Sequence, residues 1–156
     1  MSNPSKALRD FTYGLYVVTT EINGEPKGAV VSFVTQVSFS PKAVAVGLRK
    51  GTAIHDFVRQ TGKFVLHVLS VEQKSLAESI YKSGQGADLP QELTLGKTKS
   101  GLPLLRDALS WVEVRVTEEA GEKTDHRLFI GEVVDGDKIR DGKPASLFDV
   151  GLSYGG

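Results

Sequence analysis

The sequence predicts a mainly β (α+β) domain, an antiparallel barrel carrying short helical insertions. Three features carry that prediction. Short runs rich in Val, Ile, Thr, Phe and Tyr recur between Gly, Pro and Asn/Asp punctuation, as strands and turns require. These runs follow one another as hairpins rather than alternating strictly with helices, which argues against a doubly wound sheet. Seventeen glycines in 156 residues supply turns and bulges.

Taken in order, Asn3-Pro4 reads as an N-cap followed by proline at the first helical position, opening a short helix from Ser5 to Phe11. Leu15 to Ile22 is a strand, and Asn23-Gly24 is a tight-turn signal into the next, with Gly28 as a bulge near its start. Ala29 to Phe39 reads as one β-branched and aromatic run. Ser40-Pro41 separates it from a small apolar strand, Ala43 to Leu48, because proline cannot donate to a ladder. Thr52 caps a helix to Gln60 with Ile54, Phe57 and Val58 at helical spacing, and Gly62 closes it. Lys63 to Leu69 is a strand apolar on both faces. Ser70 caps a helix from Val71 to about Tyr81. Ser83 to Ser100 is the longest poorly patterned stretch, and Leu102 to Leu105 is a connector. Ala108 to Glu118 alternates as a half-buried antiparallel strand. It turns at Ala120 to Lys123 and returns as Asp125 to Val134. Asp135-Gly136-Asp137 reads as a further turn, and Lys138 to Arg140 and Ala145 to Val150 as short strands. The expected total is six or seven strands and two or three short helices in one domain, residues 1–156.

Composition narrows the function classes. The absence of cysteine excludes thiol catalysis and zinc–thiolate or iron–sulfur sites in this chain. Nineteen basic and nineteen acidic side chains balance, so no nucleic-acid or membrane attraction is expected. No apolar run reaches the ~18 residues of a spanning helix, and no signal-peptide pattern opens the chain. The expectation is a soluble, cytoplasmic protein.

No nucleophile–base–acid triad stands out, and no histidine pair has metal-ligand spacing on one element, so no metal site is expected. His55 and His126 stand beside Asp56 and Asp125, but on a strand sequence neighbours point to opposite faces. His67 lies within an apolar run and reads as a hydrogen-bonded core histidine. The chain contains neither a G-x-G-x-x-G after a strand nor a G-x-x-x-x-G-K-[ST], so neither phosphate-binding loop is supported. Arg49-Lys50-Gly51-Thr52 joins a strand to a helix N-terminus, where a cation, a hydroxyl and backbone N–H groups can meet an anion. A Lys-Gly-Thr turn equally suits an ordinary surface loop. Ser32, Thr35, Gln36 and Ser38 likewise fit either a ligand-facing strand or a solvated one.

Six segments carry a family resemblance. Tyr13-Gly14 leads into LYVVTTEINGEPKGAV. There follow VVSFVTQVSFSP, LRKGTAIHDF, KFVLHVLSVEQKSLA and TDHRLFIGEV, then a closing Tyr-Gly-Gly. In this order, from about Leu8 to Gly156, the chain resembles the flavin reductase-like family, the FMN-binding split barrels. SFVTQVSF is also similar to flavin reductase modules associated with rubredoxin and flavodiiron systems. The chain departs from the family pattern at Ser40, a common proline, at His67, a common Asn, and at Thr124, a common Gly. Val30 and Val31 replace small or hydroxyl residues.

The resemblance implies a split β-barrel of Greek-key-like antiparallel topology. It implies FMN as cofactor, with FAD as the alternative, and NAD(P)H as the substrate that passes a hydride to the flavin. Val30, Val31, Ser32, Phe33, Val34, Thr35, Gln36, Val37 and Ser38 would border the isoalloxazine. Arg49, Lys50, Gly51 and Thr52 would hold the phosphate. His126 would border the nicotinamide face, and the Ser83 to Ser100 loop would cover the site. A homodimer is implied, with a rubredoxin- or flavodiiron-type protein as redox partner. Within the same fold, the alternatives are an FMN-holding carrier that reduces a rubredoxin-like, flavodiiron or ferric partner, and a flavin-binding module without turnover.

Overall fold

The structure is a computed structural model and describes residues 1–156. One seven-stranded antiparallel sheet organises the chain. In chain order its strands are β1 (Tyr16–Ile22), β2 (Glu25–Val31), β3 (Val34–Phe39), β4 (Lys42–Arg49), β5 (Lys63–Val68), β8 (Ser110–Ala120) and β9 (His126–Lys138). They lie side by side as β2-β1-β5-β8-β9-β4-β3. A second, two-stranded sheet pairs β6 (Leu95–Lys97) with β7 (Pro103–Leu105). The helices are α1 (Pro4–Leu8), α2 (Ala53–Thr61), α3 (Lys74–Lys82) and α4 (Leu147–Val150).

The run Ala29 to Phe39 is not one strand. It breaks at Ser32-Phe33, so that β2 and β3 are the two opposite edges of the sheet. Two residues thus join both edges, and the sheet must roll to bring them together. The joint is pinned locally. Val34 N–H donates to the Ser32 carbonyl (3.0 Å), and Gly47 N–H donates to the Phe33 carbonyl (2.8 Å). A Cβ at Gly47 would stand 3.1 Å from Phe33 Cβ, so glycine permits the close approach of β4.

The Asn23-Gly24 turn is as expected, with both residues at positive φ (53° and 80°). Gly28 is not a bulge. It pairs in register with Thr19, and a Cβ there would meet the Val18 carbonyl (2.9 Å) and Leu89 (2.8 Å). Thr52 caps α2 by accepting from His55 N–H, and Gly62 ends the helix in the left-handed region.

Other expectations needed correction. Helix α3 starts three residues later than predicted, because the Gln73 side chain accepts from Ser70 N–H (2.9 Å) and donates to the Asp107 carbonyl (2.6 Å), holding a turn before it. Leu102 to Leu105 is no mere connector, since it contains β7. Asp135-Gly136-Asp137 lies inside β9, paired with Glu113, Val112 and Trp111. Both aspartates bond the backbone N–H that follows them, which gives these turn residues local partners while the chain stays extended. A Cβ at Gly136 would meet the Trp111 carbonyl at 2.8 Å, so this glycine serves strand approach rather than turning. Ala145 to Val150 is helical at Leu147–Val150, where Ser146 and Asp149 form a reciprocal capping box.

Two apolar clusters flank the sheet. One fills the barrel and includes Val18, Val46, Leu48, Val58, Phe64, Leu66, Val114 and Phe129. The other lies under α3 and α4 and includes Leu15, Val17, Leu69, Ala77, Ile80, Leu105 and Leu147. Val17 and Val18, adjacent on β1, serve opposite clusters, so this strand is buried on both faces. Each large side chain so buried contributes about 1.5–3 kcal/mol. No helix is long and apolar enough to cross a membrane.

Candidate functional site

A cavity of about 600 Å³ opens between the β2–β4 end of the barrel and α3. Ala29, Val30, Val31 and Ser32 of β2 and its joint form one wall, and Gly47, Leu48 and Arg49 of β4 form the next. Ala77, Ile80 and Tyr81 of α3 face them, and Leu152 to Tyr154 close one side. The lining is mostly apolar, with polar groups at one end, as expected for a site that holds a large planar ligand with a charged tail.

The polar end is the β4–α2 turn. The Arg49 guanidinium has no ion-pair or hydrogen-bond partner in the chain and lines the cavity. Backbone N–H groups of Gly51, Ala53 and Ile54 also lack protein acceptors. Thr52 and the first turn of the nine-residue α2 line the cavity beside them. A cation without a hydrogen-bond partner, the unpaired amides of Ala53 and Ile54 and a helix N-terminus converge there, which suits an anion such as a phosphate.

Lys50 is placed differently. Its ammonium donates to the Gly121 carbonyl (2.6 Å) and to the Glu122 carbonyl (3.1 Å), tying the β4–α2 turn to the β8–β9 turn. Of the residues singled out in the sequence, Val30, Val31, Ser32, Arg49 and Thr52 line the cavity, whereas Lys50 and Gly51 do not. Phe33 at the break, and Val34, Thr35, Gln36, Val37 and Ser38 beyond it, also lie off it, because the break at Ser32-Phe33 carries β3 to the opposite edge. There Thr35 donates to the Gln36 carbonyl, and the Gln36 amide to that of Ser38. The Ser83 to Ser100 segment contributes Gly84 and Ala87 to the wall. It is fastened to β2, with Gly28 N–H donating to the Ala87 carbonyl (2.8 Å).

Next to the cavity stands an aromatic cluster. The Phe33 ring lies 5.2 Å from Tyr13, 4.9 Å from His126 and 4.9 Å from Tyr154. His126 Nδ1 bonds Asp125 Oδ1 (2.7 Å), and its Nε2 bonds the Tyr154 hydroxyl (2.6 Å). The His126 hydrogen bond and charge hold the Asp125 carboxyl below its ordinary range, while partial burial raises the Tyr154 phenol. Since ionised Asp125 only accepts, Nδ1 carries the proton in the neutral ring and Nε2 accepts from Tyr154. His55 is likewise bonded to Asp56 (2.8 Å) and accepts from Arg127 Nε (3.1 Å). Both His–Asp neighbours therefore meet, contrary to the strand-face argument, because the aspartates fold back along the chain and His55 is helical.

His67 is a core residue, as expected. Its Nδ1 donates to the Val17 carbonyl (3.0 Å), its Nε2 accepts from Leu105 N–H (2.9 Å), and burial lowers its pKa to about 4. The α3 wall escaped the sequence reading, because it joins the site only through tertiary packing. Tyr154 had one signal, the Tyr-Gly-Gly sequence around it.

Comparison with known proteins identifies the family. Residues 8–155 match the flavin reductase like domain, and the chain belongs to that family. It is 31% identical over 152 residues to the ferric-chelate reductase (NAD(P)H) of Archaeoglobus fulgidus, covering 94% of this chain and 88% of that one. It is 31% identical over 143 residues to the high molecular weight rubredoxin of Moorella thermoacetica, covering 90% of this chain and 62% of that one. The chain thus spans less than two thirds of the Moorella protein. Among solved structures, the flavin reductase PheA2 in its native state superposes with a TM-score of 0.82 at 29% identity, covering 99% of this chain and 98% of that one. The mainly β architecture is the split barrel of these reductases.

Proposed function

We propose that this protein is an NAD(P)H-dependent flavin oxidoreductase that holds FMN in the cavity between β2, β4 and α3. One observation carries the cofactor reading: the unpartnered Arg49 guanidinium and the free amides of Ala53 and Ile54 at one end of an apolar cavity. Arg49, with Thr52 and the α2 N-terminus, receives the phosphate. Ala29 to Ser32 and the α3 wall enclose the ring system and exclude water from it. Bound flavin supplies the hydride acceptor, and the chain's own task is binding and orientation. His126, at the start of β9 and beside the aromatic cluster, borders the nicotinamide. Lys50 fixes the turn that carries these groups.

The protein works as a homodimer. Support comes from edge strand β3, which leaves Phe39 87% exposed and Val37 47% exposed beside an open ladder edge. A second reading is a carrier that keeps its flavin and reduces a ferric or rubredoxin-type partner. Its support is the similarity to the Archaeoglobus and Moorella proteins. Anaerobic addition of NADH or NADPH to flavin-loaded protein, followed by flavin bleaching, tests the leading reading. Absence of bleaching with either nucleotide would overturn it, and reoxidation of chemically reduced, protein-bound flavin by an oxidised ferric or rubredoxin-type partner would support the second.

A further inference from the structure

Segment 152–156 follows α4 and has an unusual balance of contacts. Gly151 ends α4 in the left-handed region (φ 68°), and Leu152 N–H donates to the Leu147 carbonyl (2.9 Å). From Ser153 to Gly156 the backbone makes no hydrogen bond within the chain. A single hydrogen bond holds these four residues, that of the Tyr154 hydroxyl with His126 Nε2 (2.6 Å). Ring contacts of Tyr154 with Phe33 and His126 add to it. Yet Leu152, Ser153 and Tyr154 all line the cavity. Tyr154 is 50% exposed, so it stands where the cavity meets solvent.

We infer that Leu152 to Tyr154 form a strap across the cavity mouth, latched by Tyr154 to His126, and that ligand exchange requires its release. Leu152 stays tied to α4 by its N–H and packs on the second apolar cluster, so the segment swings from Ser153, where the backbone hydrogen bonds end. The latch is stiff at its other end. Asp125 fixes the His126 ring through Nδ1, and Phe33, held at the β2–β3 joint, supports both rings. Tyr154 is thus a positioning and gating residue, not a catalytic one. Release frees His126 Nε2 for a ligand at the moment the cavity opens. The inference rests on the reading of this cavity as the flavin site.

The test is stopped-flow binding of FMN to apoprotein, followed by quenching of flavin fluorescence, in wild type, Tyr154→Phe and Tyr154→Ala. Tyr154→Phe keeps the ring and removes only the latch. Association and dissociation should both quicken about three- to tenfold, as loss of one hydrogen bond predicts, while Kd changes less than threefold. Tyr154→Ala should quicken them further. If wild type binds FMN and the Phe variant matches its rates within twofold, the strap is wrong and the flavin site stands. If wild type binds no FMN, the flavin reading fails and the strap falls with it. Should the Ala variant not fold, the Phe variant decides alone.

Discussion

Arg49 and His126 are direct partners in the β4–β9 ladder. Cross-strand partners project to the same face of a sheet, so this register sets the cation that faces the cavity beside the imidazole of the aromatic cluster. Arg49→Ala should therefore weaken FMN roughly ten- to a hundredfold, the cost of one charge-assisted contact, and leave riboflavin nearly unaffected. Fluorescence titration with the two ligands checks this. Equal weakening of both would move the phosphate away from Arg49.

Lys50→Ala should behave differently. Its ammonium already serves two carbonyls of the β8–β9 turn. Removing it should lower stability by about 1–2 kcal/mol and weaken FMN less than Arg49→Ala does. Urea unfolding of the flavin-free variant gives the first number and titration the second. A larger FMN loss for Lys50→Ala than for Arg49→Ala would reverse the assignment.

His126→Ala should raise KM for NAD(P)H while kcat and FMN affinity hold, the pattern of lost uniform binding. Steady-state kinetics at several pH values between 5.5 and 8 provide the check. Wild-type KM for both nucleotides throughout that range would remove His126 from the nicotinamide side.

His67 makes stability depend on pH. Burial lowers its folded pKa to about 4, against about 6.5 in the unfolded chain. Between those values the unfolded state binds more protons, so stability rises with pH. The neutral ring's contribution is fully present above pH 6.5 and is lost as pH falls toward 4, by up to about 3 kcal/mol. Denaturant titrations from pH 7.5 to 4 should show a shallower pH slope for His67→Asn than for wild type. Parallel slopes would mean that the folded protein protonates His67 without cost.

Flavin-loaded protein should sediment at twice the 16.8 kDa chain mass, and Phe39→Lys should shift it toward a single chain. The warrant is the exposed apolar edge of β3. A wild-type mass near one chain at micromolar concentration would refute the dimer.

The hairpins were legible because their signals are local. Asn23-Gly24 dictates a turn through positive φ, and the alternation of Val114 and Val116 with Arg115 and Thr117 marks a half-buried strand, although Glu113, expected on the polar face, is buried beside a register shift. The core role of His67 could be read from its apolar neighbours. The break at Ser32-Phe33 could not, since its β-branched flanks look continuous and only the close approach of Gly47 reveals the joint. Asp135-Gly136-Asp137 carries turn chemistry, yet the facing Trp111 and Val112 backbone imposes a strand. At the site, residue types pointed to the β4–α2 turn. The division of labour between Arg49 and Lys50 depends on where the β8–β9 turn lies, which no local pattern encodes.

The strand order has a kinetic consequence. Three hairpins, β1–β2, β3–β4 and β8–β9, are sewn together by ladders between residues distant in sequence: β1 with β5, β5 with β8, and β4 with β9. Each hairpin can nucleate early, but none encloses a core alone. Pairing of segments this distant in sequence raises contact order, and higher contact order slows folding. The two walls that carry Ser32 and Arg49 belong to different hairpins, so no partly assembled chain presents a complete pocket. A ligand that needs both walls therefore binds only once the sheet has rolled closed.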